Sequence, residues 1–199
     1  GIILIVFADV RWFLIMLTFF IIGAGATRYR YGDKRTLGVA QEHGGVRGYF
    51  NVFANGLVAT AAAILYGVTG QPAFVALFMG SVASAAADTV ASEIGVTGKT
   101  PYLITTLRPV PRGTNGGVTL RGEVAAIIAS AAVAGIAWGM GVADPWMAVA
   151  TVFAGFVGTN VDSLVGATLE NNGKIGNSGT NLVATLVGGV SGMALYLVG

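Results

Sequence analysis

The sequence has no cysteine, a single histidine and very few charges: Asp, Glu, Lys and Arg make up 10% of its 199 residues. Each scarcity excludes something. Without cysteine there is no disulfide framework, no thiolate nucleophile and no cysteine-based zinc site. One histidine, His43, makes no imidazole cluster for zinc. A soluble domain dresses its surface with about 25% charged residues. This chain, 54% hydrophobic with a mean hydropathy of +0.75, cannot be covered that way. It reads as an integral membrane protein, which removes soluble-enzyme and disordered-tail readings. The net charge of +2 is too small to suggest a nucleic-acid partner, so none is expected. Glycine, in contrast, is abundant at 31 residues. Small residues let helix backbones approach closely in a bilayer.

A spanning helix needs about 20 mostly apolar residues. Read with that window, the chain shows about six candidates, near 11–26, 51–69, 72–93, 122–140, 146–169 and 180–198. Residues 1–8 are apolar but too short to span. They are expected to be the end of a truncated N-terminal helix, and they lack the basic start and cleavage site of a signal peptide. The connections at 70–71 and 141–145 are short, whereas those at 27–50, 94–121 and 170–179 are long and polar. Alternation of spans puts the three long loops on one side. With them go Arg28, Arg30, Lys34, Arg35, Arg47, Lys99, Arg108, Arg112, Arg121 and Lys174, leaving only Arg11 opposite. By the positive-inside rule that side is cytoplasmic; a prokaryotic plasma membrane is the simplest host. Trp138, Trp146 and Tyr196 fall where aromatic anchors at the outer interface belong.

An internal echo accompanies this topology. Asp88-Thr89-Val90-Ala91-Ser92 is matched by Asp162-Ser163-Leu164-Val165-Gly166. A Gly-Lys pair follows each (Gly98-Lys99, Gly173-Lys174), and then a Gly-Thr-Asn run (Gly113-Thr114-Asn115, Gly179-Thr180-Asn181). The expected fold is therefore an all-α integral membrane protein. Its one polytopic domain, 1–199, holds three parallel helical hairpins near 9–70, 71–143 and 144–199, with long cytoplasmic loops. An inverted transporter-type repeat would need a flip of orientation.

Asp88 and Asp162 sit inside apolar helices, where an acid costs roughly 2.5–3.5 kcal/mol at the bilayer centre and usually faces an interior site. Helical spacing places Asp88 on a stripe with Ser81, Ser84 and Ser92, and Asp162 on one with Gly155, Thr159, Gly166 and Glu170. With Glu93 they form a carboxylate cluster suited to a hard cation such as Mg²⁺. The structural alternative is acids satisfied by interhelical hydrogen bonds or by loop arginines. The 97–121 loop combines Lys99, Arg108, Arg112 and Arg121 with the run Gly113, Thr114, Asn115, Gly116 and Gly117. Glycine backbones admit an anion closely, arginine forks onto phosphate, and a helix N-terminus follows; a tight turn carrying topology signals is the bland alternative. Gly98-Lys99-Thr100 is not a P-loop, because Glu93 occupies the first glycine position and no strand precedes it. His43 serves either a phosphate or solvent. Asn51 and Asn55 place two amides on one helix face, for a ligand or for a neighbouring helix.

Several stretches together resemble the integral-membrane family that contains plant and cyanobacterial phytyl-phosphate kinase. They are Tyr29-Arg30-Tyr31-Gly32-Asp33-Lys34-Arg35, Gly44-Gly45-Val46-Arg47-Gly48 with Asn51 and Asn55-Gly56, and Asp88-Thr89-Val90-Ala91-Ser92-Glu93-Ile94-Gly95. Further on come Leu103-Ile104-Thr105-Thr106, the run from Val110 through Pro111-Arg112-Gly113-Thr114-Asn115-Gly116-Gly117 to Thr119, and Asp162-Ser163-Leu164-Val165-Gly166-Ala167-Thr168. The resemblance runs from about Gly23 to the end.

The resemblance implies transfer of the γ-phosphoryl of a nucleoside triphosphate, CTP foremost, to an isoprenoid monophosphate such as phytyl or geranylgeranyl phosphate. The product is the diphosphate, and anionic heads with a greasy tail put the reaction at the cytoplasmic interface. Asp88, Glu93 and Asp162 are then expected to hold Mg²⁺, with Asp88, Lys99, Arg112 and Asp162 as catalytic residues. Arg108, the Gly113, Thr114, Asn115, Gly116 and Gly117 run, Lys174, Asn177 and Asn181 are expected on the nucleotide. His43, Arg47, Asn51 and Asn55 are expected on the substrate. Oligomeric state stays open, with a homodimer as one option. Two other readings use the same features: a transporter or channel for a small anionic solute, and a CTP-dependent cytidylyltransferase or lipid-alcohol kinase.

Overall fold

The computed structural model describes residues 1–38, 40 and 49–199. Helices α1 (Ile2–Phe7) and α2 (Val10–Arg28) meet at Asp9, whose carboxylate caps α2 by accepting from the backbone N–H of Arg11 at 2.7 Å. The short helix α3 (Tyr31–Thr36) follows. Among the described residues five long helices come next: α4 (Tyr49–Thr69), α5 (Pro72–Gly95), α6 (Leu120–Gly139), α7 (Pro145–Val165) and α8 (Asn177–Leu197). Their starts are written locally. Pro72 and Pro145 stand in the first turns of α5 and α7, where a missing N–H costs nothing. Thr119 and Asp144 cap α6 and α7 by accepting from Gly122 and Met147 backbone N–H groups at 3.0 and 2.8 Å. Among the described residues six helices, α2 and α4 to α8, are long and apolar enough to cross a membrane. They agree with the spans read from the sequence to within a few residues at each end.

Two features are not regular α-helix. The connection between α5 and α6 carries a small antiparallel ribbon, β1 (Tyr102–Leu103) against β2 (Gly117–Val118), with Tyr102 opposite Val118. Gly113 and Gly116, at φ +83° and +79°, let the chain turn back to make that pairing. The second is at the end of α7, which continues as one π-helical turn over Gly166–Glu170. Such turns are rare and concentrate at functional sites.

Helix α5 is the central post. In its most apolar stretch 83% of residues are buried, against 33–39% in the other five spanning helices, and it packs on α2, α4, α6, α7 and α8. Its Gly, Ala and Ser residues make this possible. A side chain on Gly80 would stand 2.7 Å from the Gly188 carbonyl of α8, and the Ser84 hydroxyl donates to the Ala184 carbonyl at 3.0 Å. Close backbone approach of this kind supplies packing where lipid gives no hydrophobic drive between helices.

Candidate functional site

The C-terminal ends of α5 and α7 and the N-terminal ends of α4, α6 and α8 converge at one end of the bundle, with the 96–119 connection folded over them. Between them lies a cavity of ≈ 270 Å³. Its wall is polar in character, and the helix faces that carry the acids turn toward it. Asp88 of α5 and Asp162 of α7 line it and are in side-chain contact, with Glu170 as the next carboxylate. Two carboxyl groups in contact repel unless a positive species, a proton or a metal cation, lies between them. One Asp162 oxygen, Oδ1, is buried with no hydrogen-bond partner among the described residues.

Glu170 is brought in by the π-helical turn. Its Oε2 accepts from the Thr180 hydroxyl of α8 at 2.8 Å, which fixes the carboxylate across the α7–α8 turn. The Gly113, Thr114, Asn115, Gly116 and Gly117 run also lines the cavity and rests on the same turn: Asn171 Nδ2 donates to the Asn115 carbonyl at 3.2 Å. Arg112 is the cationic side chain of the wall among the described residues. Asn51 enters from α4, where its Oδ1 accepts from the Ser178 hydroxyl at 2.8 Å and from Asn177 Nδ2 at 3.4 Å. Asn177 and Asn181 are lining residues too.

Other expected site residues stand in different surroundings. Glu93 lines the cavity, yet both its oxygens are engaged. Oε2 takes Lys34 Nζ at 2.6 Å and Oε1 takes the Thr27 hydroxyl at 3.1 Å, so in this structure it serves an ion pair, apart from the Asp88–Asp162 contact. Lys99, Arg108 and Lys174 are exposed and do not line the cavity; their long side chains stay in the solvated outer part of the loops. Asn55 is buried within the bundle, one helical turn below Asn51 and also off the wall. His43 and Arg47 lie outside the described residues.

Two participants escaped the sequence reading. Glu123 of α6 lines the cavity, and Asn160 Nδ2 donates to its Oε2 at 3.1 Å. A carboxylate in the first turn of a helix looks like an ordinary N-terminal acid, so only its neighbours single it out. Lys34 read as one of many loop cations, whereas it is 1% exposed. The one available signal was its place in the Tyr31-Gly32-Asp33-Lys34 run.

The donor set fits a cation that keeps part of its water shell better than one enclosed in a protein cage. Among the described residues no three Asp, Glu or His side chains gather tightly enough to enclose a metal. Mg²⁺ prefers one or two carboxylates and completes its octahedron with water and phosphate oxygens. The Asp88–Asp162 contact with its orphaned Oδ1 offers that arrangement.

A membrane-spanning helical bundle with carboxylates, amides and an arginine gathered round a cavity at one end defines a polytopic membrane protein with an end-on polar site. The chain belongs to the family described as integral membrane protein DUF92, which it matches over residues 1–191. Its relatives include an uncharacterised membrane protein of Synechocystis sp., 37% identical over 173 residues, covering 84% of this chain and 67% of that protein. An uncharacterised membrane protein of Methanocaldococcus jannaschii is 33% identical over 197 residues, covering 98% and 81%. The chloroplastic protein VTE6 of Arabidopsis thaliana is 36% identical over 166 residues, 80% of this chain and 50% of its own length. The chain therefore spans half of VTE6. No solved structure matches it. The family and these relatives are consistent with the resemblance found in the sequence.

Proposed function

We infer that the cavity is a site of phosphoryl transfer, from a nucleoside triphosphate, CTP foremost, to an isoprenoid monophosphate. The observation that carries this reading is the Asp88–Asp162 contact, with its orphaned oxygen, in one cavity with Arg112 and the glycine-rich run. Similarity to VTE6 and the resemblance to the phytyl-phosphate kinase family supply the substrate class. In the reaction a terminal oxygen of the acceptor phosphate forms a bond to the γ-phosphorus as its bond to the β–γ bridging oxygen breaks, releasing the nucleoside diphosphate. The acceptor is already an anion, so no strong general base is needed.

Mg²⁺ would supply charge neutralisation for the phosphates, and Asp88 and Asp162 are the residues that would hold it. Arg112 forks onto phosphate oxygens, and the backbone N–H groups of Gly113, Thr114, Asn115, Gly116 and Gly117 cradle them. Asn51, Asn177 and Asn181 orient the reactants across the α4–α8 side. Phosphoryl transfer depends on such positioning and charge stabilisation. Lys99, Arg108 and Lys174 act from outside the cavity by steering anions toward it. The positive side of the molecule, and so the site, faces the cytoplasm of a prokaryotic cell.

The test is detergent-purified protein with Mg²⁺, phytyl or geranylgeranyl monophosphate and each of four nucleoside triphosphates, read by mass spectrometry. Prenyl diphosphate formed with CTP and lost on chelation supports the reading. CDP-lipid with pyrophosphate marks a cytidylyltransferase, and no product with any nucleotide from folded protein removes the kinase reading and directs the next measurement to solute flux in liposomes.

A further inference from the structure

The wall of the cavity is unbalanced in charge. Five carboxylates reach it, Asp88, Glu93, Glu123, Asp162 and Glu170, against one lining cation among the described residues, Arg112. Glu93 differs from the other four, because its charge is cancelled from outside the wall. Lys34 arrives from α3 and is itself fully enclosed. Its Nζ donates to Glu93 Oε2 at 2.6 Å and to the carbonyls of Thr27 at 2.7 Å and Ala26 at 3.1 Å, at the end of α2. An ammonium group has three donors, and all three are used. The second Glu93 oxygen takes the Thr27 hydroxyl. A buried pair of this kind is a poor source of net stability compared with apolar packing, because two ions must be desolvated to make it. Its placement on the cavity wall is what gives it a use.

We propose that Lys34 is a positioning residue that sets the charge of the cavity: by neutralising Glu93 it confines the cation-binding negative charge to the Asp88–Asp162 side and spares an anionic substrate one repulsive wall charge. This deepens the phosphoryl-transfer reading and rests on it for the substrate, while the effect on cation affinity is independent of the substrate. Leaving one unit charge uncompensated at a poorly solvated wall changes the affinity for a divalent cation by about tenfold.

The experiment titrates Mn²⁺ into the full chain in detergent, followed by electron paramagnetic resonance of the free ion, for wild type, Lys34→Met, Glu93→Gln and the double variant. Lys34→Met adds net negative charge and should tighten Mn²⁺ about tenfold while raising the KM for nucleotide. Glu93→Gln leaves the lysine charge and should shift both in the opposite direction. The double variant, with both charges gone and similar volumes kept, should return to within about twofold of wild type. A merely structural pair would shift both single variants the same way and leave the double variant impaired; that result overturns the proposal, as does a wild-type chain that binds no Mn²⁺. Should Lys34→Met fail to fold, Glu93→Gln against the double variant decides alone: Mn²⁺ affinity must recover on removing the lysine charge, and absence of recovery overturns the proposal. Opposite Mn²⁺ shifts in a chain that makes no prenyl diphosphate would keep this inference and remove the kinase reading.

Discussion

Gly116 stands so close to Ser163 that a methyl group on it would lie 2.5 Å from the Ser163 carbonyl oxygen, and as near to the Ala167 side chain. The contact seats the glycine-rich run on the end of α7, at the start of the π-helical turn that carries Glu170. It links the ribbon loop to the carboxylates below it.

Gly116→Ala should therefore displace the loop. The left-handed backbone at φ +79° and the clash together cost about 2 kcal/mol. The expected outcome is a lowered melting temperature and at least a tenfold loss of turnover. Gly141→Ala, also at positive φ (+69°) but with open space around it, serves as the comparison for strain alone.

Asp88→Asn and Asp162→Asn should each abolish Mg²⁺-dependent turnover while the protein remains folded and extractable. Removing one of two contacting carboxylates relieves repulsion, so thermal stability in the absence of metal should hold or rise. Activity retained by either variant in the prenyl-phosphate assay would take that residue out of the metal site.

Thr180→Val removes the hydroxyl that holds Glu170. A hydrogen bond to a charged group contributes about 1.5–3 kcal/mol. We expect the Mg²⁺ concentration for half-maximal activity to rise several-fold, with a smaller change in kcat, in steady-state titrations of metal at fixed nucleotide.

Arg112 and Lys99 lie in the same loop, and only Arg112 lines the cavity. Arg112→Ala should raise the KM for nucleotide or prenyl phosphate by 10- to 100-fold, about 1.4–2.7 kcal/mol. Lys99→Ala should change it by about twofold, and that small effect should vanish at high salt, as expected for an exposed charge acting at a distance.

At the opposite end of the molecule, Asp9 caps α2 and contacts the Arg11 guanidinium at 2.6 Å, which holds its carboxyl below the usual carboxylate range. The ionised form is the one favoured by folding. Its contribution is fully present above the ordinary aspartate range and is lost as pH falls through the lowered folded value. Asp9→Ala should cost about 1 kcal/mol at neutral pH, and the difference from wild type in detergent melts should disappear in strong acid. Turnover per folded molecule should not change.

The membrane class, the six spans and the facing of Asp88 and Asp162 were legible because each depends on residues close together in the chain. Hydropathy over 20 residues, a proline or cap at a helix start, and the step of three or four along one face are local quantities. They need no knowledge of what lies opposite. What tertiary structure decided was which stripes meet. The centrality of α5 came from its small residues, which let five neighbours pack on it, and hydropathy does not rank helices by burial. Glu93 looked like the third member of an acid cluster, since it ends the same helix as Asp88. Only the return of α3 against the end of α2 brings Lys34 to it across 59 positions. Glu170 reached the cavity through a single π-helical turn, and Glu123 through the approach of α7, which places Asn160 beside it. Charge partnership depends on helix rotation and on the close backbone approach that small residues allow, and those are settled by the whole bundle at once.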